Sequence, residues 1–331
     1  MCSTGAGTGR RSAVQLLLLL GTLGGAGAAR GQGSQVPTTT VPAADAPLEA
    51  PPAPDERLYP FYRVGAAARA NPIGLFTNLT FQLRYLLYES ESPALKDNFV
   101  GFGPVAFASP ALVRGGLGIE VQPLSVLQLS ASYEGVRFFG GFNYLQSFPS
   151  ANADSSDDRL DALAEAGTNY ATGGSLLTLG ALLQAKVGPL ALRTAPRLFR
   201  YDMDLREGDR VFYEPVLDIT VPNEGWTLSN DADLLYVVGK LAAGVRYTAT
   251  HSYYGEESFA PGERDLGLNP TIHRLGPFLA YTFHDDEKRL FNAPTLVLVS
   301  QWFLSHRYRA GQESSQALPW IALAFQFKGK P

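Results

Sequence analysis

Thirteen charged residues fall at positions where an extended chain turns them away from its apolar side chains. Arg84, Arg114, Lys186, Arg193, Arg197, Lys240, Arg246, Arg274 and Arg307 are the bases, and Glu120, Glu134, Asp231 and Asp233 the acids. Charges held away from bulk water need partners, so the set predicts an internal network of ion pairs. Its excess of bases predicts that any pathway lined by it favours anions. Two neighbouring pairs, His251-Ser252 and Ser305-His306, raise the possibility of nucleophilic lipid hydrolysis. That chemistry needs the two side chains within hydrogen-bond reach, whereas neighbours on a strand point to opposite faces. The segment SANADSSDDRLDALAEAG (150–167) offers Asp154, Asp157 and Asp158 as a weak cation site, with a short helical turn over 158–166. Its spacing does not match a calcium-binding loop.

The elements that must position these groups are strands. In KLAAGVRYTATHSYY (240–254), Leu241, Ala243, Val245, Tyr247, Ala249 and Tyr253 form one set, broken by His251. Lys240, Gly244, Arg246, Thr248, Thr250 and Ser252 lie in the other. Side chains alternate across a strand, so one face is apolar and the other polar. The pattern recurs over 78–88, 113–122, 127–135, 177–187, 226–238 and 318–328, and more weakly over 189–201, 272–284 and 294–308. These runs reach about ten residues, the length a tilted strand needs to cross a bilayer. A strand of a soluble sandwich is more often about five or six. The short connections 122–125, 187–189 and 238–240, with the moderate 284–294, alternate with longer ones at 139–172, 206–224, 255–270 and 309–316. Short turns at one end and long loops at the other are the layout of a transmembrane barrel. Ten strands fit this parity. The stretch 97–110 resists a central-strand reading because of Pro104 and Pro110, and counting it leads to twelve.

The ends of the chain fit export. Arg10 and Arg11 precede an apolar run (13–23) and a small-residue zone (24–29), which is the pattern of a cleaved secretory leader over 1–29. Its removal takes the formal charge from −4 to −6 and takes Cys2, the single cysteine, with it. No disulfide or thiol–metal chemistry is then open to the mature chain. Residues 30–60 carry seven prolines between 34 and 60 and read as an extended spacer. The barrel domain is expected over 61–331. Charged residues are 18% of the chain, against about 25% in ordinary soluble domains. No basic patch or phosphate-cradling loop points to nucleic acid, and no residue pattern points to a cofactor.

Leader, proline-rich spacer, alternating strands and a last strand ending in FQF (325–327) resemble a Gram-negative outer-membrane β-barrel protein. The resemblance covers about residues 70–331 and matches no functional subfamily. It implies an all-β, antiparallel, up-and-down transmembrane barrel whose apolar face meets lipid and whose polar face lines the interior. It also implies contact with outer-membrane lipid and lipopolysaccharide, and recognition of Phe325 and Phe327 by the barrel assembly machinery, although KGKP (328–331) follows them. Tyr85, Tyr88, Trp226, Tyr253, Tyr254, Tyr308 and Trp320 are expected in aromatic girdles. The functions this predicts are a structural or small-solute, anion-favouring barrel, a rim-acting lipid hydrolase, or an adhesin acting through loop 139–172. An eight-strand barrel is filled by side chains and wide channels need about sixteen, so a general porin is disfavoured.

Overall fold

The computed structural model describes residues 57–92, 94–95, 97–139, 145–286, 290–310 and 318–330. The expected leader and residues 30–56 lie outside these. Twelve long strands close into an antiparallel barrel. They are β1 (Leu58–Ala70), β2 (Gly74–Tyr85), β3 (Phe99–Ala108), β4 (Leu112–Leu124), β5 (Leu127–Phe139), β7 (Ala171–Val187) and β8 (Leu190–Met203) in the first part. The second part holds β11 (Trp226–Val238), β12 (Leu241–Tyr253), β13 (Ile272–Thr282), β14 (Asn292–Ser305) and β15 (Trp320–Gly329). Strand β15 pairs with β1 and closes the cylinder, which leaves no sheet edge with unpaired backbone groups. Three short strands, β6 (Ser147–Phe148), β9 (Val211–Glu214) and β10 (Ile219–Pro222), form a separate sheet in the order β10-β9-β6. With the helix α1 (Asp157–Glu165) they make a cap over one end. Among the described residues no helix is long and apolar enough to cross a membrane.

The count is twelve because two stretches weakly patterned in sequence are strands. Residues 97–110 hold β3, hydrogen-bonded to both β2 and β4. Pro104 is tolerated because the β2–β3 ladder lapses at Phe81 and Gln82, opposite Gly103 and Pro104, so its missing N–H is not needed. The same device recurs at Pro196, where the β7–β8 ladder lapses, and at Pro277, where the β13–β14 ladder lapses. Gly103 and Gly276 precede two of these prolines. A Cβ there would strike the carbonyl oxygens of Phe81 and Ser300, so glycine is required by the close approach of the neighbouring strand. The second stretch is β1, whose inward Gly65 and Ala67 and outward Ala66 and Ala68 are too alike to show alternation.

The connections at residues 125–126, 188–189 and 239–240 are two residues long and share one end of the barrel, the turn end. The long loops lie at the other, the loop end. The first four strands break this asymmetry, because 71–73 and 109–111 are tight turns at the loop end while 86–98 is a longer connection at the turn end.

The outer wall is apolar. Leu79, Phe81, Leu83, Leu117, Tyr133, Leu192, Leu234, Val245, Leu279 and Leu298 are all exposed along it. A contiguous band of this kind is unstable against water and suited to lipid. In β12, Val245 and Tyr247 point out while Arg246, Thr248, Thr250 and Ser252 are buried inside. The interior departs from a uniformly polar lining near the turn end, where Ala67, Phe278, Ala280, Val297, Val299, Ala322 and Ala324 form an apolar cluster. There the lining is made of small aliphatic and aromatic side chains.

Candidate functional site

The middle of the lumen is a belt of arginine and carboxylate. Successive inward positions of β11 place Asp233 opposite Arg246 on β12 and Arg193 on β8, and Asp231 opposite Thr248 and diagonal to Arg246 and Arg197. Arg246 grips Asp233 through two hydrogen bonds of 2.7 and 2.9 Å, and its Nη1 lies 3.7 Å from Asp231. Arg193 approaches Asp233 at 3.8 Å and Arg197 approaches Asp231 at 3.8 Å. Thr248 Oγ1 donates to Asp231 at 2.7 Å, and the amide of Gln301 joins Thr248 to the carbonyl of Arg246. On the opposite wall Glu120 is shared by Arg84 at 2.9 Å and Arg63 at 3.6 Å, and Glu134 meets Arg114 at 3.7 Å. Aromatic faces serve as further partners. Arg84 lies between Phe61 and Phe99 at 3.4 and 3.7 Å, Arg114 over Phe107 at 4.2 Å, and Arg274 over Trp320 at 4.4 Å. A guanidinium is weakly hydrated and stacks well on rings, so these contacts replace water at modest cost.

Above the belt the β9–β10 hairpin packs into the loop end. Phe212 packs against Phe138 and Tyr201 of the barrel wall, with ring centroids 6.2 and 5.3 Å apart. Leu145, Ile219 and Val221 join Phe76, Phe107, Leu112, Leu176 and Phe199 in the same buried cluster. The hairpin tip, 215–218, is latched by charge. Arg69 at the top of β1 donates to the carbonyls of Val216, at 2.8 Å, and of Pro215. Asp218 accepts from Tyr213 Oη at 2.8 Å and from Arg309 at 2.8 and 3.1 Å. Arg309 continues to Asp157 on α1 at 2.6 and 2.8 Å and to Asn71 at 3.2 Å. One guanidinium therefore joins the hairpin, the helix and the β1–β2 turn.

His306 completes the latch. Its Nδ1 accepts the backbone N–H groups of Tyr308 and Arg309, each at 3.0 Å, so the proton sits on Nε2. That Nε2 donates to the carbonyl of Asp218 at 3.3 Å and lies 3.4 Å from its carboxylate. Burial opposes ionisation of Asp218, but the charge of Arg309 and the hydrogen bond from His306 outweigh it and hold the carboxyl well below the usual range. Burial pushes the Tyr254 hydroxyl, which donates to Thr220 of β10, up to about 12. The cavity beside the latch, lined by Ser155, Tyr213, Asp218 and His306, encloses about 20 Å³, room for a water. A histidine relaying a proton from a nucleophile needs one ring nitrogen free to accept it. Here Nδ1 is engaged by two backbone donors, so the His306–Asp218 pair is built as a clasp.

The residues singled out in the sequence fall into three places. Arg84, Arg114, Glu120, Glu134, Arg193, Arg197, Asp231, Asp233, Arg246 and Arg274 are in the lumen. Lys186 and Lys240 lie exposed at the turn end, where Lys240 donates to the carbonyl of Phe283 at 2.7 Å. Arg307 is in the cap, donating to the carbonyls of Asn152 and Ala153 at 3.0 Å each. His251 bonds Thr271 and Ser252 bonds Thr227, on opposite faces of β12, and Ser305 is one residue from His306 without a bond between their side chains. Asp157 is held by Arg309 and Asp154 caps its own turn by accepting from Ser156 N–H at 2.9 Å. Among the described residues these aspartates and Asp158 form no group able to hold a metal ion. Phe327 packs against Tyr62 and Phe291, and Phe325 against Phe291, at the turn end. Trp320 is not in a girdle: it pairs with the buried Gln301 and faces inward beneath Arg274. Tyr254 and Tyr308 belong to the cap. Sequence reasoning missed Arg63 and Arg69, because β1 shows little alternation, and it missed the β9–β10 hairpin. The apolar run VFYEPVLDITVP (211–222), inside a stretch read as a polar loop, was the signal for the hairpin.

No family model matches the chain, and no curated protein matches its sequence. Solved structures that match include OccAB1 of Acinetobacter baumannii, at 7% identity and TM-score 0.37, covering 82% of this chain and 95% of that one. The translocator domain of the autotransporter NalP from Neisseria meningitidis matches at 11% identity and TM-score 0.33, covering 82% and 86%. LpxR from Salmonella typhimurium matches at 11% identity and TM-score 0.33, covering 81% and 99%. The chain itself forms a closed antiparallel barrel of twelve strands.

Proposed function

We propose that this chain is a Gram-negative outer-membrane barrel, exported by a cleaved leader over 1–29, whose lumen is a structural plug and whose working surface is the cap at its loop end. Contact with outer-membrane lipid, and with lipopolysaccharide in the outer leaflet, belongs to the apolar wall. Recognition by the barrel assembly machinery is assigned to Phe325 and Phe327 on the closing strand. The observation that carries the reading is Phe212, seated inside the barrel mouth among wall residues and latched there through Asp218. The paired belt beneath it supports the same reading, since its carboxylates and ring faces occupy the arginines. The test is single-channel recording of residues 31–331 refolded into a planar bilayer. A folded, silent barrel is expected. Steady conducting steps from the unmodified protein would overturn the plug. Deleting 211–222 should open the mouth and give conducting steps, because it removes Phe212 from among the wall residues it packs against.

A further inference from the structure

The cap holds a second cavity, distinct from the one beside the latch. It lies between α1, β6 and the segment before β9, is half open, and has a volume of about 480 Å³. That is within the range of small-molecule sites, about 300–1,000 Å³. Its floor includes the buried Gln146, whose amide lies 3.3 Å from Thr168 Oγ1. Phe148, Pro149 and Leu163 supply an apolar wall. Arg159 and Arg206 stand at the rim, and neither makes an ion pair among the described residues. Arg206 lies over the Tyr170 ring at 4.2 Å, which leaves its donor edge open. Asp154, Glu207 and Asp209 line the same cavity, and Asp209 already accepts from Ser147.

We propose that this cavity binds an acidic sugar, a hydroxylated ring bearing a carboxylate or phosphate. The anionic group would take Arg159 and Arg206, for which a planar guanidinium is suited. Ring hydroxyls would donate to Asp154 and Glu207, and the carbon face of the ring would rest on Phe148 and Leu163. A simple anion would leave the apolar wall and the carboxylates unused, and a neutral sugar would leave the arginines unused. The site lies in the cap that the proposed function treats as the working surface, but binding does not depend on whether the lumen conducts.

The experiment is calorimetric titration of the refolded barrel in detergent with glucuronic acid, glucose 6-phosphate, glucose and inorganic phosphate, beside conductance recording of the same preparation. The acidic sugars should bind at least about tenfold more tightly than glucose or phosphate. Arg159→Ala, at an exposed rim position, should weaken them by about tenfold, with its melting temperature read in parallel to confirm that it folds. Equal affinity for phosphate and the acidic sugars, no binding at 10 mM-scale concentrations, or binding indifferent to Arg159→Ala would each overturn the proposal. Titration with lipopolysaccharide then separates the sources: competition with glucuronic acid marks a membrane glycolipid, and none marks a free sugar. Conductance in the recording would refute the plug and leave this site standing.

Discussion

Replacing Asp218 with Asn tests the latch at its centre. The substitution keeps the shape and removes the charge. The side chain is 3% exposed and Arg309 is 10% exposed, so solvent screens the pair little. Taking one partner from a buried pair costs about 3–5 kcal/mol, because the other charge is stranded. Arg309 retains Asp157, whose side chain is 56% exposed, and this brings the expected loss below that range, to about 2–3 kcal/mol. At about 1.4 kcal/mol per tenfold, the hairpin should open roughly 30- to 150-fold more often. A thiol at Leu217→Cys reads this directly, because Cys2 lies in the expected leader and the barrel domain carries no other thiol. Its maleimide labelling rate, limited by opening, should rise by that factor in the Asp218→Asn background. Asp157→Asn, a change at an exposed group, should raise it less than about fivefold. A rate within twofold of the parent would show that packing of Phe212 alone holds the hairpin, and that the ion pair is incidental to closure.

Three further outcomes follow from the same geometry. Asp218 is a carboxylate held below its ordinary value, so its contribution is fully present above the unfolded value of about 3.9 and is lost as pH falls through the folded one. The groups facing it are Tyr213 from β9, His306 and Arg309 after β14, and Arg69 from β1. Recordings stepped from pH 7 to pH 3 should therefore stay silent until below about pH 4 and show openings only there. Asp233→Asn takes from Arg246 its bidentate partner and from Arg193 a carboxylate at 3.8 Å, while Asp231 stays 3.7 Å from Arg246, and should lower stability by about 3 kcal/mol. Asp233→Asn with Arg246→Met should recover much of that loss, read as the midpoint of heat-induced gel mobility shift. Val245→Arg, outward at mid-strand, should cost about 2–4 kcal/mol in lipid, whereas Asp158→Arg on exposed α1 should cost under about 0.5. Equal effects would mean the wall at Val245 does not face hydrocarbon.

The long strands were legible because their two faces differ chemically. In β12 each inward residue from Arg246 to Ser252 is polar and its neighbours are mainly apolar, so period two is visible without any partner strand. In β1 it is not visible, since alanine serves both faces, and Arg63 and Arg69 were lost with it. In β3 the proline rule pointed the wrong way: Pro104 excludes a strand only if both ladders need its N–H, and one of them lapses there. The cap was illegible for a different reason. Ser147 and Phe148 pair with Phe212 and Val211 across more than sixty residues of chain, and Arg309 finds Asp218 ninety-one residues away. No local periodicity encodes such contacts. The apolar content of 211–222 announced that this loop had something to bury, but not where.

The arginine excess itself bears on function in a way that composition hides. Counting charges treats every lumenal arginine without a carboxylate as available to a passing anion. The structure divides them differently, since each ring face also accepts a guanidinium. Arg84 has Glu120 on its edge and Phe61 and Phe99 on its faces, and Arg274 lies against Trp320 and Phe303. A cation held on edge and face has little left with which to draw an anion, and moving it aside would expose both the ring and the carboxylate. A lumen built this way gains rigidity rather than conductance from its charge. The cap cavity presents the reverse arrangement: Arg159 makes no ion pair among the described residues, and Arg206 rests on a single ring face with its donor edge open to solvent. Binding chemistry is therefore to be sought where arginines are left open, at the cap, and not where they are most numerous.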